Sequence, residues 1–361
     1  MPHCYIMTNR ENVIRALKRD NPERVPFDMT LCPAHIETLK KKTGTDDYHA
    51  YFRFPYRYVE LEASVKKYDY SHFYRNLPSQ AKPLSWNPEW GIFSVPGTVA
   101  HFEQMLHPME NFERIEEILA YPFPDFNEAY RWKGMDDKIT ALQKDDLIAI
   151  ASMQMTIFEI AWYLRGMENF MMDLVINREF AEVLLDKIMN LRIGMAEKYA
   201  RHGIDILMLG DDVSTQLAMM MDPGLWREVL KPRLAKVISA AKGIRKEILI
   251  FYHGDGNLQA IIPDLIEIGV DILNPVQPEC MDPVLIKKQY GGRLSFWGTI
   301  GTQTTLPFGT PDDVEKIVKQ NIETIGAGGG LLLAPTHVIE PDVPWENIEA
   351  FINAVKKYGS Y

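Results

Sequence analysis

A chain of 361 residues, 46% apolar and 24% charged, has the composition of a globular protein and the length to bury a large core. Its net charge of −10 offers no basic footprint for nucleic acid, and no run of about 18 apolar residues is present to cross a membrane. The opening MPHCYIMTNRENV lacks the basic and apolar regions of a secretion signal, and only three cysteines are present, so a cytoplasmic protein is expected.

In chain order, a helix NRENVIRALKR is expected behind Thr8 or Asn9 as its cap. VPFDM (25–29) reads as a first strand and YDYSHFY (68–74) as a weaker second. Residues 76–98 are rich in Pro, Trp and Gly and fit no helix; an inserted hairpin or loop overhanging the barrel mouth is expected there. From about residue 140 the chain alternates apolar strand, turn and amphipathic helix. The strands are LIAIAS (147–152), IDILMLG (204–210), ILIFYH (248–253), DILNPV (271–276), LSFWGTI (294–300) and LLLAPT (331–336). They are short and apolar throughout, as strands covered on both faces should be. Eight βα units in one chain predict a single α/β domain over 1–361, a closed (β/α)8 TIM-like barrel with an N-terminal helical extension. A doubly wound open sheet is the alternative.

A barrel gathers the carboxyl ends of its strands around one mouth, and polar groups stand at these ends. The fourth strand ends in Asp211-Asp212 with Gln216 close behind, the fifth in His253-Gly254-Asp255, and the sixth in Asn274 and Gln277. The seventh ends in Trp297-Gly298-Thr299 and the eighth in Thr336-His337. His253, Asp255 and His337 are the expected metal ligands, since two imidazoles and a carboxylate suit Zn2+ and leave a position open. The plainer alternative has His253 closing its strand while Asp255 caps the next helix. Asp211, Asp212 and His337 are the candidate acid/base groups. Adjacent carboxylates diverge on an extended strand, so only one aspartate should face the pocket, and Asp212 capping a helix at Val213 is the plainer reading. Gln216, Trp90, Met153, Asn274 and Gln277 are candidates for substrate contact. Cys280 is a candidate soft ligand, and Cys32 would need a nearby base to act as a thiolate.

Two motifs lead nowhere. His253-x-x-Gly256 matches the core of a cobalamin-binding signature, but Phe251 stands where that motif has Asp, so the chain should not carry cobalamin itself. Ala327-Gly328-Gly329-Gly330 precedes a strand, where a helix cap and tight turn explain it better than a phosphate cradle.

Several blocks together resemble the uroporphyrinogen decarboxylase superfamily. They are NRENVIRALKRDNPERVPFDM, NPEWGIF, GDDVSTQ with MDPGLWREVLKPRL, and the closing LLLAPTHVIEPDVPWENIEAFINAVKKYG. The resemblance implies a (β/α)8 barrel. True decarboxylases of this superfamily carry an Arg-rich segment after the first strand, for the carboxylates of a tetrapyrrole. Met29-Thr30-Leu31-Cys32-Pro33-Ala34-His35 has no arginine in that place. The chain therefore looks closer to the corrinoid-dependent methyltransferase branch. That branch binds zinc through a His-x-Cys pair after the fifth strand and a Cys after the eighth. The matching positions are His253, Asp255 and His337, with both cysteines replaced. The resemblance implies a methyltransferase that demethylates a small methoxylated or methylated molecule and passes the methyl to a corrinoid on a partner protein. A decarboxylase of a smaller acid, or a barrel that binds without catalysis, are the alternatives.

Overall fold

The computed structural model describes residues 7–74, 84–96 and 103–361. Seven strands form one parallel sheet: β1 (Tyr56–Tyr58), β5 (Ile148–Gln154), β6 (Ile206–Gly210), β7 (Leu249–His253), β8 (Ile272–Asn274), β9 (Ser295–Ile300) and β10 (Leu331–Pro335), each pairing with the next in that order. The remaining stave, first in the chain, is the segment Val25–Leu31, which forms single parallel bridges rather than a long ladder. Phe27 pairs with Leu333 and Leu31 with Ile339, while the Asp28 amide donates to the Leu333 carbonyl at 3.1 Å. Pro26 has no N–H to give, which limits the ladder here. The curled parallel sheet and its helices make the TIM-like barrel expected from the strand count, with the helix Asn9–Lys18 preceding it. Thr8 caps that helix, its side chain accepting from the Glu11 amide.

β6, β9 and β10 are buried along their whole length, which accounts for their largely apolar sequences. In-register pairing puts Gln154, Gly210, His253 and Asn274 side by side at the carboxyl ends of four successive strands. Gly210 permits that row: a Cβ there would lie 2.6 Å from His253 Cβ.

The expected second strand at 68–74 is not one. Ser71–Phe73 forms a 3-10 turn, and the stave is the shorter Tyr56-Arg57-Tyr58. Tyr70 is held elsewhere, its hydroxyl donating to the Glu89 and Pro122 carbonyls. The insertion is larger than one hairpin. β2 (Leu84–Asn87), β3 (Ile92–Pro96) and β4 (Glu103–Leu106) form an antiparallel sheet, and the parts of the expected loop at 76–83 and 97–98 lie outside the described residues. Arg165, in the helix Phe158–Arg165, donates to the carbonyls of Met109, Glu110 and Phe112 just after that sheet, which ties the insertion to the flank of the barrel. No helix among the described residues is long and apolar enough to cross a membrane.

Candidate metal centre and cavity

His253 is the last residue of β7, and its ring nitrogens have different neighbours. Nδ1 lies 2.6 Å from Asn274 Oδ1, while Asn274 Nδ2 donates to the Trp297 carbonyl at 2.7 Å. That second bond orients the amide, so Oδ1 faces the histidine and Nδ1 must carry the proton. Nε2 is left with a lone pair, aimed at Asp212 Oδ1 at 3.7 Å and Asp255 Oδ1 at 3.9 Å. Asp212, His253 and Asp255 each offer a ligand atom within 4.8 Å of the others.

Among the described residues, the buried Oδ1 of Asp255 has no hydrogen-bond partner. A buried carboxylate oxygen without a donor is costly, and a cation bound between these three side chains would satisfy it. Burial pushes the Asp255 carboxyl above its ordinary range; His253 and His337 pull it back, and Asp212 adds to the rise. The donor set therefore fits a divalent metal. Asp212 has a second task, since its Oδ1 accepts the Asp255 amide at 2.8 Å and locks the two loops together. Asn274 acts on the ring from behind. Asn274→Ala should weaken metal binding about 10–100-fold while the fold survives, measured by competition against a chelator; unchanged affinity would deny it that role.

His337 stands outside this trio. It is exposed, and Asp212 stands with His253 and Asp255 in the place expected for it. Asp211 is turned away from the mouth, as divergence on an extended strand requires. Its carboxylate accepts the amides of Ile157 at 3.1 Å and Glu159 at 3.0 Å, fastening the helix Phe158–Arg165 to β6. No helix begins at Val213, so Asp212 caps nothing there.

Glu159 escaped the sequence reading. It is buried, and its carboxylate accepts from the Asp212 amide at 3.1 Å and the Tyr163 hydroxyl at 3.1 Å. Burial, then repulsion from Asp211 and Asp212, pushes its carboxyl well up. Burial does the same to Asp211, opposed by the amides it accepts and by Arg192. A glutamate in the first turn of a helix ordinarily serves the helix dipole, so only its contact with the strand-end aspartates marks it.

A cavity of about 310 Å³ opens beside His253 and His337, lined also by Asp28, Tyr58, Gln154, Met208, Phe251, Asn274 and Trp297. Of the expected substrate contacts only Asn274 lines it. Met153 faces outward because alternation hands the inward place to Gln154. Trp90 is buried against Phe126 and the Arg192 guanidinium. Gln277 braces the Asp255 loop by accepting the Gly256 amide at 2.6 Å, and Gln216 bonds Gln303 on the surface. Cys280 has its thiol 3.7 Å from Gln277 Oε1 and raised in pKa by burial, while Cys32 is buried at the start of the helix Pro33–Thr43.

A parallel-stranded barrel with polar side chains gathered at its carboxyl rim defines the class of protein, and residues 95–358 match the uroporphyrinogen decarboxylase (URO-D) family. The chain belongs to that family. A methylcobamide:CoM methyltransferase MtaA of Methanosarcina barkeri is 28% identical over 225 residues, covering 62% of this chain and 57% of that protein. A uroporphyrinogen decarboxylase of Coxiella burnetii is 23% identical over 181 residues, 48% of this chain and 46% of that protein. The chain thus spans about half the length of the relatives it matches and is closer to the methyltransferase branch. Among solved structures, a methyltransferase from Methanosarcina mazei has the same fold, with a TM-score of 0.66, 19% identity, and coverage of 98% of this chain and 99% of that one.

Proposed function

We propose that the protein transfers a methyl group from a small methoxylated or methylated molecule to the cobalt of a corrinoid carried by a separate protein. The observation that carries this reading is the Asp212–His253–Asp255 trio, with its unpartnered carboxylate oxygen, beside a small cavity. A divalent cation there, which we take to be Zn2+, would supply Lewis acidity to the oxygen that keeps the electron pair when its bond to methyl breaks. His253, held as the Nδ1–H tautomer by Asn274, presents a lone pair to that cation and moves no proton. Gln154 and His337 line the cavity and can hydrogen-bond the substrate's polar end. Similarity to a methylcobamide:CoM methyltransferase supports corrinoid chemistry and a corrinoid protein as partner. Two carboxylates and one imidazole leave a bound metal more positive than thiolates would, which favours an oxygen ligand over a thiolate acceptor.

Decarboxylation of a tetrapyrrole fits less well. Among the described residues the cavity lining contains no Lys or Arg to meet its carboxylates, and its volume is at the small end for ligand sites. The test is methylation of cob(I)alamin, followed by absorbance, with a panel of methyl ethers as donors. Protein-dependent methylation that stops on chelation is expected; carbon dioxide release from uroporphyrinogen in its place would overturn the reading.

A further inference from the structure

Asp28 lies in the first stave of the barrel, is 7% exposed, and lines the cavity. Its Oδ1 accepts the Tyr56 hydroxyl at 2.6 Å and its Oδ2 the Trp297 indole N–H at 3.3 Å. The Met29 amide also donates to the carboxylate. All three donors are neutral, and among the described residues no Lys, Arg or His forms an ion pair with it. A buried carboxylate is normally matched by a cation of the protein or gives up its charge. Burial pushes the Asp28 carboxyl up to about 6, and a cation placed beside it would favour its charged form. Its neighbours form a connected set of rings. Trp297 packs 5.5 Å from Tyr56 and 5.4 Å from Phe251, and Tyr56 packs 5.6 Å from Tyr58. Tyr58, Phe251 and Trp297 line the cavity together with Asp28, and among the described residues the lining contributes no lysine or arginine.

We infer that this cavity selects a positively charged substrate, a small organic ammonium whose cationic end rests against Asp28 among the rings of Tyr58, Phe251 and Trp297. A carboxylate with lone pairs to spare supplies the charge, and aromatic rings add attraction for ammonium without demanding hydrogen bonds from it. The oxygen-bearing end then points toward His253 and His337, which line the same space. The inference rests on this cavity being the substrate site of the proposed methyltransferase, and it narrows that substrate to a cationic methyl compound.

Three methoxy probes of similar size separate the possibilities: (2-methoxyethyl)trimethylammonium, its uncharged carbon isostere 1-methoxy-3,3-dimethylbutane, and 3-methoxypropionate. Calorimetric titration of each into the whole protein, without any corrinoid, is expected to give the cation about tenfold tighter binding than the neutral isostere, with the anion weakest. Asp28→Asn should erase most of the preference for the cation while leaving the neutral probe's affinity nearly unchanged. Equal or tighter binding of the neutral probe, tightest binding of the anion, or no binding by any of the three would overturn the inference. So would a preference that survives Asp28→Asn. The wild-type comparison stands even where the variant folds poorly. A cation preference without methyl transfer to cob(I)alamin would sink the methyltransferase reading and leave the cation site standing; transfer without the preference would do the reverse.

Discussion

Replacing His253 with alanine should leave the purified protein without its divalent cation and lower methyl transfer by at least about 100-fold. His253 is the sole imidazole of the trio, and its Nε2 lone pair is kept available because Asn274 Oδ1 accepts the Nδ1–H and holds the proton on Nδ1. Removing it leaves Asp212 and Asp255 as two neighbouring carboxylates that repel each other when no cation lies between them. Elemental analysis after zinc loading reads the first effect, and the cob(I)alamin assay reads the second. The more searching comparison is Asp212→Ala against His337→Ala. Asp212 is close enough to share an ion with His253 and Asp255, so its loss should cost metal. His337 is an exposed cavity residue outside the trio, so His337→Ala should keep metal and lose activity through substrate contact. Metal retained in Asp212→Ala and lost in His337→Ala would reverse the assignment made from the geometry.

Asp211→Ala should destabilise the fold by about 2–4 kcal/mol, a loss that denaturant unfolding would read as a lower midpoint. The Asp211 carboxylate is buried and accepts amides from Ile157 and Glu159, at the point where the chain leaves β5 and turns into the helix Phe158–Arg165. Each buried N–H left without an acceptor costs about 1–3 kcal/mol. Relief of a buried charge, and of its repulsion with Glu159, offsets part of that cost. Asp211→Asn keeps one acceptor oxygen and should lose less. The alanine variant should also loosen the metal centre, because Glu159 accepts the Asp212 amide and would no longer be held in place. An alanine variant as stable as the natural protein would show that those amides find other acceptors.

Much of the barrel was legible because its signal is periodic and local. Short apolar runs with polar residues at or near their carboxyl ends are what a strand buried on both faces and open at one end must look like. Six of them, beginning with LIAIAS, coincide with β5 to β10. The second stave was not legible. Tyr56-Arg57-Tyr58 is three residues long and carries a charge, while the longer aromatic stretch at 68–74 looks more strand-like but packs under the insertion. Pairing with β5 makes a strand of the first, and that depends on partners far along the chain.

At the site, sequence spacing alone placed His253 and Asp255 at one strand end. It also required Asp211 and Asp212 to diverge, because successive side chains on an extended strand alternate. Which aspartate turns inward depends on strand register, and register is set by the row Gln154, Gly210, His253 and Asn274 across four strands. The same register sends Met153 outward and Gln154 inward. Asp28 and Glu159 lie in unremarkable stretches of sequence, and their significance comes from partners over 25 and over 50 residues away. The sequence by itself determined the barrel, its family and the strand end that bears His253 and Asp255. Only the tertiary structure decided that Asp212 completes the trio, that His337 stands apart, and that the Asp28 carboxylate lines the cavity with no ion-pair partner among the described residues. Strand identity is written in local hydrophobic pattern, whereas a site is a set of distances between residues that the chain brings together only on folding.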